Sequence, residues 1–220
     1  MSPNPPFIYA PPDTPLDVIH LDDQILAVNK PSGLLSVPGK AMEHRDCLET
    51  RVKTAYPDAL LVHRLDMDTS GVMVFGIGKA AQRHIGGQFQ KRYLEKTYVA
   101  RVAGLVANDT GTVDLPLIVD WPNRPLQMVD HERGKPSVTD WTVLAREQGI
   151  TRMELRPLTG RSHQLRVHML ELGHPILGDR FYGSTEVIAA ADRLQLHAQT
   201  LRLRHPDGGE WLTLNADCPF

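Results

Sequence analysis

Apolar residues recur along the chain in two rhythms, alternation with polar residues and a spacing of three to four, each cut short by turn-forming clusters. Ile25 to Val28 is a short apolar run closed by Asn29-Lys30-Pro31-Ser32-Gly33, which predicts a strand ending in a turn. Gly71 to Ile77, Thr97 to Ala103, Val138 to Ala145 and Thr151 to Arg156 predict further strands. In the last of these Met153 and Leu155 alternate with Arg152, Glu154 and Arg156, so one face is polar. Gln199 to Arg204 and Trp211 to Leu214 flank Pro206-Asp207-Gly208-Gly209 and predict a hairpin.

Helical spacing is rarer. Asp46 with Glu49 resembles a capping box opening a helix that buries Leu48 and Val52 and ends before Pro57. Ala81, Ile85 and Phe89 predict a second helix with Arg83 and Lys91 facing outward. Ser162 is positioned to cap a third, burying Leu165, Met169 and Leu172 and stopping at Gly173. Helices and strands interleave without a βαβ rhythm. The predicted class is α+β: one domain with a mixed, largely antiparallel sheet flanked by helices.

Composition trims this picture at one end. Six of 17 prolines fall within residues 1–15, which predicts an extended or disordered arm, with the folded body over 16–220. No apolar run is long enough to span a membrane, no secretory signal opens the chain, and Cys47 and Cys218 are too few for a disulfide framework. A cytoplasmic location follows as the expectation.

The net charge of −2 argues mildly against a nucleic-acid partner, but its distribution does not. Residues 1–28 carry four acids and no Lys or Arg. From Lys79 to Arg101 there are six bases against Glu95 alone, and from Thr151 to His168 four against Glu154. Either cluster alone describes a solvated face. Together they flank the two segments that carry candidate chemistry and suggest a surface for an anionic ligand.

Gly78-Lys79 lacks the glycine and hydroxyl spacing of a phosphate loop, and no dinucleotide fingerprint is present. Ser70 lacks a hydrolase elbow, and the spacing of His163, His168 and His174 does not suit a metal pair on one helical face. The informative segment is His63-Arg64-Leu65-Asp66-Met67-Asp68-Thr69-Ser70-Gly71, which presents carboxylates and an arginine at the entrance to a buried strand. A salt-bridged surface loop would read the same way. The second segment is Gly160-Arg161-Ser162-His163-Gln164-Leu165-Arg166-Val167-His168, whose Arg166 has the planar fork suited to a carboxylate.

His63 to Gly71 resembles the catalytic motif of the RluA family of pseudouridine synthases. The likeness runs on in order through Asn29 to Leu34, Lys96 to Ala100, Gly160 to His168, Gly173 to Asp179 and Leu196 to Ala198. Asp120-Trp121-Pro122-Asn123-Arg124-Pro125 resembles a segment of one subgroup of that family. No basic module of the S4 type precedes the body. The resemblance implies the pseudouridine synthase fold, no cofactor and no metal. It implies catalytic roles for Asp66, Tyr98 and Arg166: Asp66 as the essential carboxylate, Arg166 orienting it, and Tyr98 stacking on the uracil. Arg64, His63, Lys91, Arg92, Arg161 and His163 are the expected substrate-binding residues, with Arg64 either entering the space left by a flipped base or holding the flipped nucleotide. Asp68 is expected to be a loop residue.

The implied activity is isomerisation of uridine to pseudouridine in structured RNA, by a monomer, in both large-subunit ribosomal RNA and the anticodon stem-loop of transfer RNA. Two alternatives stay open: a related synthase with another RNA target, and a non-catalytic RNA-binding protein of the same fold.

Overall fold

The computed structural model describes residues 9–220, so the part of the N-terminal arm over residues 1–8 lies outside the described residues. The segment 9–15 has neither helix nor strand. It is nonetheless tied down: the Tyr9 hydroxyl donates to the Asp46 carbonyl, and Arg51 donates to the carbonyls of Pro12 and Thr14.

The strands are β1 Val18–Leu21, β2 Ile25–Lys30, β3 Ala59–Leu61, β4 Ser70–Ile77, β5 Glu95–Ala103 and β6 Thr110–Asp114. They continue with β7 Leu117–Val119, β8 Gln127–Val129, β9 Val138–Glu147, β10 Ile150–Pro157, β11 Leu196–Arg204 and β12 Trp211–Asn215. Four α-helices and a short 3-10 turn at Met42–His44 complete the fold of the described residues: α1 Leu48–Ala55, α2 Gly78–Lys91, α3 Gln164–Glu171 and α4 Thr185–Ala189. A ten-stranded sheet runs β1-β2-β4-β11-β5-β10-β9-β6, with β3 beside β4 and β12 beside β11. Strands β7 and β8 form a separate hairpin. Among the described residues only the β4–β11 pairing in the large sheet is parallel, in agreement with the predicted mixed sheet.

Strand β4 shows why its sequence is apolar throughout. Val72 and Val74 pack with Ile25, Ile85 and Leu203 on one face, while Met73 and Phe75 pack with Leu48, Val52 and Ala59 on the other. A strand covered on both faces has no position to spare for a polar side chain. A third cluster, around Val102, Trp141, Met153, Leu155, Leu165 and Met169, fixes α3 against β5, β9 and β10.

The helix starts depart from expectation. Asp46 does not cap α1; its carboxylate takes Arg51 through two bonds of 2.7 Å, and Glu49 pairs with Lys53. Ion pairing with a nearby side chain has displaced the capping box. Nor does Ser162 cap α3. The helix starts from His163, held at φ +54°, and the Gln164 side chain accepts from the Arg161 amide and the Thr159 hydroxyl. The helix is also buried nearly all round, with Gln164, Arg166 and His168 as deep as Leu165 and Met169.

Gly71 marks where the parallel pair closes. Its φ is +116°, and a Cβ there would stand 2.2 Å from the Ala198 carbonyl oxygen. Gly71→Ala should therefore cost about 3 kcal/mol or more of stability, from clash and backbone strain together. Denaturant unfolding checks this. A loss under ~1 kcal/mol would mean that β11 can shift away without penalty.

Candidate active site

The loop between β3 and β4 carries His63 to Thr69, and it is anchored from below by Lys30. That side chain is completely buried at the end of β2, and its ammonium donates to the carbonyls of Pro31, Leu34 and Met67 at 2.7–2.8 Å. Burial pulls its pKa down to about 7, against the opposing pull of Asp68 and Asp66. Ser36 and Ser32 add bonds to the carbonyls of Leu65 and Asp68. The loop is held by its backbone, which leaves the Asp66 side chain free to face outward, 30% exposed.

Asp66 lines a cleft of about 760 Å³ together with Tyr98 from β5 and Arg166 from α3. His63, Arg64, Arg161 and His163 line it as well, as do Val119, Arg124, Pro125 and Gln127 from the β7–β8 hairpin. Seven of the nine residues expected at the site thus converge from three separate stretches of chain, 63–66, 98 and 161–166. Lys91 and Arg92 do not join them; both are exposed at the end of α2, and Arg92 lines an adjoining depression instead.

The arginine fork has a different partner from the one its position suggested. Arg166 gives Nε and Nη2 to Asp179 at 2.8 and 2.6 Å, and only Nη1 approaches Asp66, at 3.7 Å. Both members of the Arg166–Asp179 pair are buried. Burial disfavours the guanidinium charge, but the Asp179 carboxylate more than offsets this and raises the arginine's pKa. Asp179 also accepts from the amides of Phe181 and Tyr182. It is thus the residue that orients Arg166. The sequence showed it as the last residue of the Gly173–Asp179 stretch, where nothing distinguished a buried acid from a turn residue.

Tyr98 spans two of the apolar clusters. Burial, with the nearby Asp66 charge adding to it, pushes its phenol well above the usual value, so the hydroxyl keeps its proton. His63 is a wall of the cleft: its ring stacks on Phe89 at 4.4 Å, and its Nε2 accepts from the Val74 amide. Burial, with Lys96 adding to it, brings its pKa down to about 3, which keeps it neutral. His163 bonds through Nδ1 to the Tyr182 hydroxyl, which also accepts from the Gln127 amide at the base of the hairpin. His168 and His174, the other histidines near α3, are structural, His168 bonding Thr139 and His174 the Ala103 carbonyl.

Arg64 is exposed at the cleft mouth, with no ion pair or hydrogen bond among the described residues. Asp68 turns away from the cleft toward Arg180, 3.2 Å distant, consistent with a loop residue. Ser70 does bond a histidine, His197, at 2.8 Å. Both are buried, and the histidine's other nitrogen meets the Ala216 carbonyl, so the pair supports the β4–β11 junction and faces no substrate.

A carboxylate beside a buried arginine and a tyrosine, at the central strands of a broad mixed sheet, defines the class to which the comparisons also assign the chain. The family model for RNA pseudouridylate synthase matches residues 24–171, and the chain belongs to that family. Its members are isomerases that form pseudouridine in RNA, and this chain is one of them. It is 55% identical over 214 residues to the dual-specificity RNA pseudouridine synthase RluA of Escherichia coli K12, covering 96% of this chain and 98% of that protein. The protein of the same name from Yersinia pestis is 54% identical over 204 residues, 92% of this chain and 99% of that one. Among solved structures, human RNA pseudouridylate synthase domain containing 1 matches with a TM-score of 0.78 and 29% identity, over 93% of this chain and 84% of that one.

Proposed function

We propose that the chain converts uridines in both large-subunit ribosomal RNA and the anticodon stem-loop of transfer RNA, with Asp66 as the catalytic carboxylate. The observation that carries the assignment of Asp66 is the contrast between two neighbours. Asp66 faces the cleft beside Arg166, whereas Asp68 is engaged by Arg180 outside it. The reaction breaks the bond from the ribose C1′ to N1 of uracil, turns the base, and joins C1′ to C5. The proton on C5 is lost and N1 gains one, so no redox group is needed. Asp66 acts either by covalent attack or by taking a ribose proton. Arg166 holds the carboxylate's orientation through Nη1 while Asp179 fixes the guanidinium. Tyr98, its hydroxyl protonated, serves as a stacking surface for the uracil and not as a base. Reaching Asp66 requires the nucleotide to leave its stack, and the unpaired Arg64 at the mouth is the group available to take its place.

Dual targeting is supported by the relatives named dual-specificity synthases, matched at 54–55% identity over nearly their full length. The cleft is complete within one chain, which supports a monomer. Cys47 and Cys218 are unpaired thiols and no helix of the described residues is long and apolar enough to cross a membrane, in keeping with action in the cytoplasm. Pseudouridine-sensitive sequencing of ribosomal and transfer RNA, from cells with and without the gene, tests the reading. Loss of sites in both RNA classes is expected. Loss in one alone would make the enzyme single-target, and loss in another RNA would move its substrate altogether.

A further inference from the structure

The catalytic cleft does not end at Tyr98. A second cavity of about 920 Å³ adjoins it, and Phe89, Lys96, Pro157, Thr159, Gly160 and Arg161 line both. The first already has the volume of a site for a whole small molecule, so one flipped uridine does not need the second. Lys96 lies in the dividing wall. It is two residues before Tyr98 on β5, and the strand's pleat turns both side chains to the same face.

The surroundings of Lys96 are those of a cation waiting for a partner. Among the described residues its ammonium makes one hydrogen bond, to the Thr159 carbonyl at 2.9 Å, which leaves two donors. Burial lowers its pKa to about 8, and the neighbouring Arg92 adds to the fall. The second cavity holds three carboxylates, and each is engaged by a group other than Lys96. Glu95 pairs with Arg202, Glu154 with Arg156, and Asp140 accepts from the Thr112 hydroxyl. On the catalytic side, Asp66 faces Arg166, and His63 is neutral. Arg92, Arg156 and Arg161 also line the second cavity. A half-buried lysine pressed by like charge, with no carboxylate paired to it among the described residues, at the junction of two cavities is suited to a singly charged anion.

We propose that Lys96, with Arg92 beside it, binds the phosphodiester joining the target uridine to one of its neighbours, and that this neighbouring nucleotide occupies the second cavity. The inference rests on the reading that the first cleft takes the uridine. It explains why the basic residues at the end of α2 lie outside the catalytic cleft: they serve the strand leaving it. Lys96 is then a substrate-positioning residue that acts on the RNA backbone and not on the reacting base.

The test uses the full-length enzyme and a synthetic anticodon stem-loop. Neutral methylphosphonates replace, one at a time, the two linkages flanking the target uridine and one remote linkage. In the wild type, one flanking replacement should weaken binding about tenfold, and the remote one much less. Lys96→Met should weaken binding of the unmodified RNA by a similar factor, and combining the two should add nothing, because both remove the same contact. Wild-type affinity should also fall as pH rises through about 8, where the free Lys96 loses its proton. Lys96→Arg should bind independently of pH over that range, a change that a merely structural bond to Thr159 would not produce. It also carries the test if the methionine variant does not fold. Multiplying losses, or an unchanged pH profile in Lys96→Arg, would overturn the proposal. If the wild type leaves the stem-loop unmodified, the transfer-RNA assignment fails instead, and the same series in a ribosomal stem-loop decides the role of Lys96.

Discussion

Asp66→Asn should abolish pseudouridine formation, by about a thousandfold or more, while RNA affinity stays within a few-fold of wild type. Asparagine keeps the side chain's shape but removes both its nucleophile and its charge. The loop should not move, since Lys30, Ser36 and Ser32 hold it through backbone carbonyls and not through this side chain. Asp68→Asn is the control. It breaks an ion pair whose arginine is largely exposed, worth only ~0–1 kcal/mol, and should leave turnover nearly intact. Single-turnover assays on a synthetic stem-loop, with binding measured separately, distinguish the two. Residual activity in Asp66→Asn within about tenfold of wild type, ~1.4 kcal/mol in the barrier, would remove Asp66 from the chemistry.

The second large effect falls on stability. Asp179→Asn leaves the Arg166 guanidinium buried without its countercharge, a loss of about 3–5 kcal/mol when one member of a buried pair is removed. For a chain of this size the melting temperature should drop by roughly 6–20 °C. Asparagine retains an oxygen for the Phe181 and Tyr182 amides, so the loss reports on the ion pair. Activity measured well below the new midpoint should also fall, because Nη1 loses its fixed direction toward Asp66. A melting temperature within ~2 °C of wild type would show that Arg166 does not depend on Asp179.

How much of this was legible beforehand follows the range of the interactions. Strands β2, β4, β5, β9, β10, β11 and β12 were readable because burial writes itself into alternation or continuous apolarity. Strands β1, β3, β6, β7 and β8 are short and owe their existence to the partner they lie against, which no local window contains. The helix caps failed for a related reason: Asp46 and Ser162 have the right residue types, but Arg51 and Gln164 compete from nearby and win. Asp66, Tyr98 and Arg166 could be named through a family resemblance carried by ordered motifs. Periodicity alone left the Asp66 loop indistinguishable from a surface turn. The fork on Asp179, the three-carbonyl seat of Lys30 and the position of Lys96 in a dividing wall exist only once distant segments meet.

The place of β11 in the sheet has a consequence for the order in which the enzyme comes into being. Asp66 stands just before β4 and Tyr98 lies on β5, yet these two strands do not touch; β11, residues 196–204, is inserted between them. During vectorial synthesis, everything that bears the chemistry, from Asp66 to Asp179, leaves the ribosome before the strand that sets its spacing. Until β11 arrives, the two halves of the sheet have no common ladder, and Ser70 lacks its histidine. A nascent chain carrying all its catalytic side chains would therefore still be inert. Catalytic competence should appear in a single late step, slow for a chain of this length because the closing contacts span about a hundred residues or more.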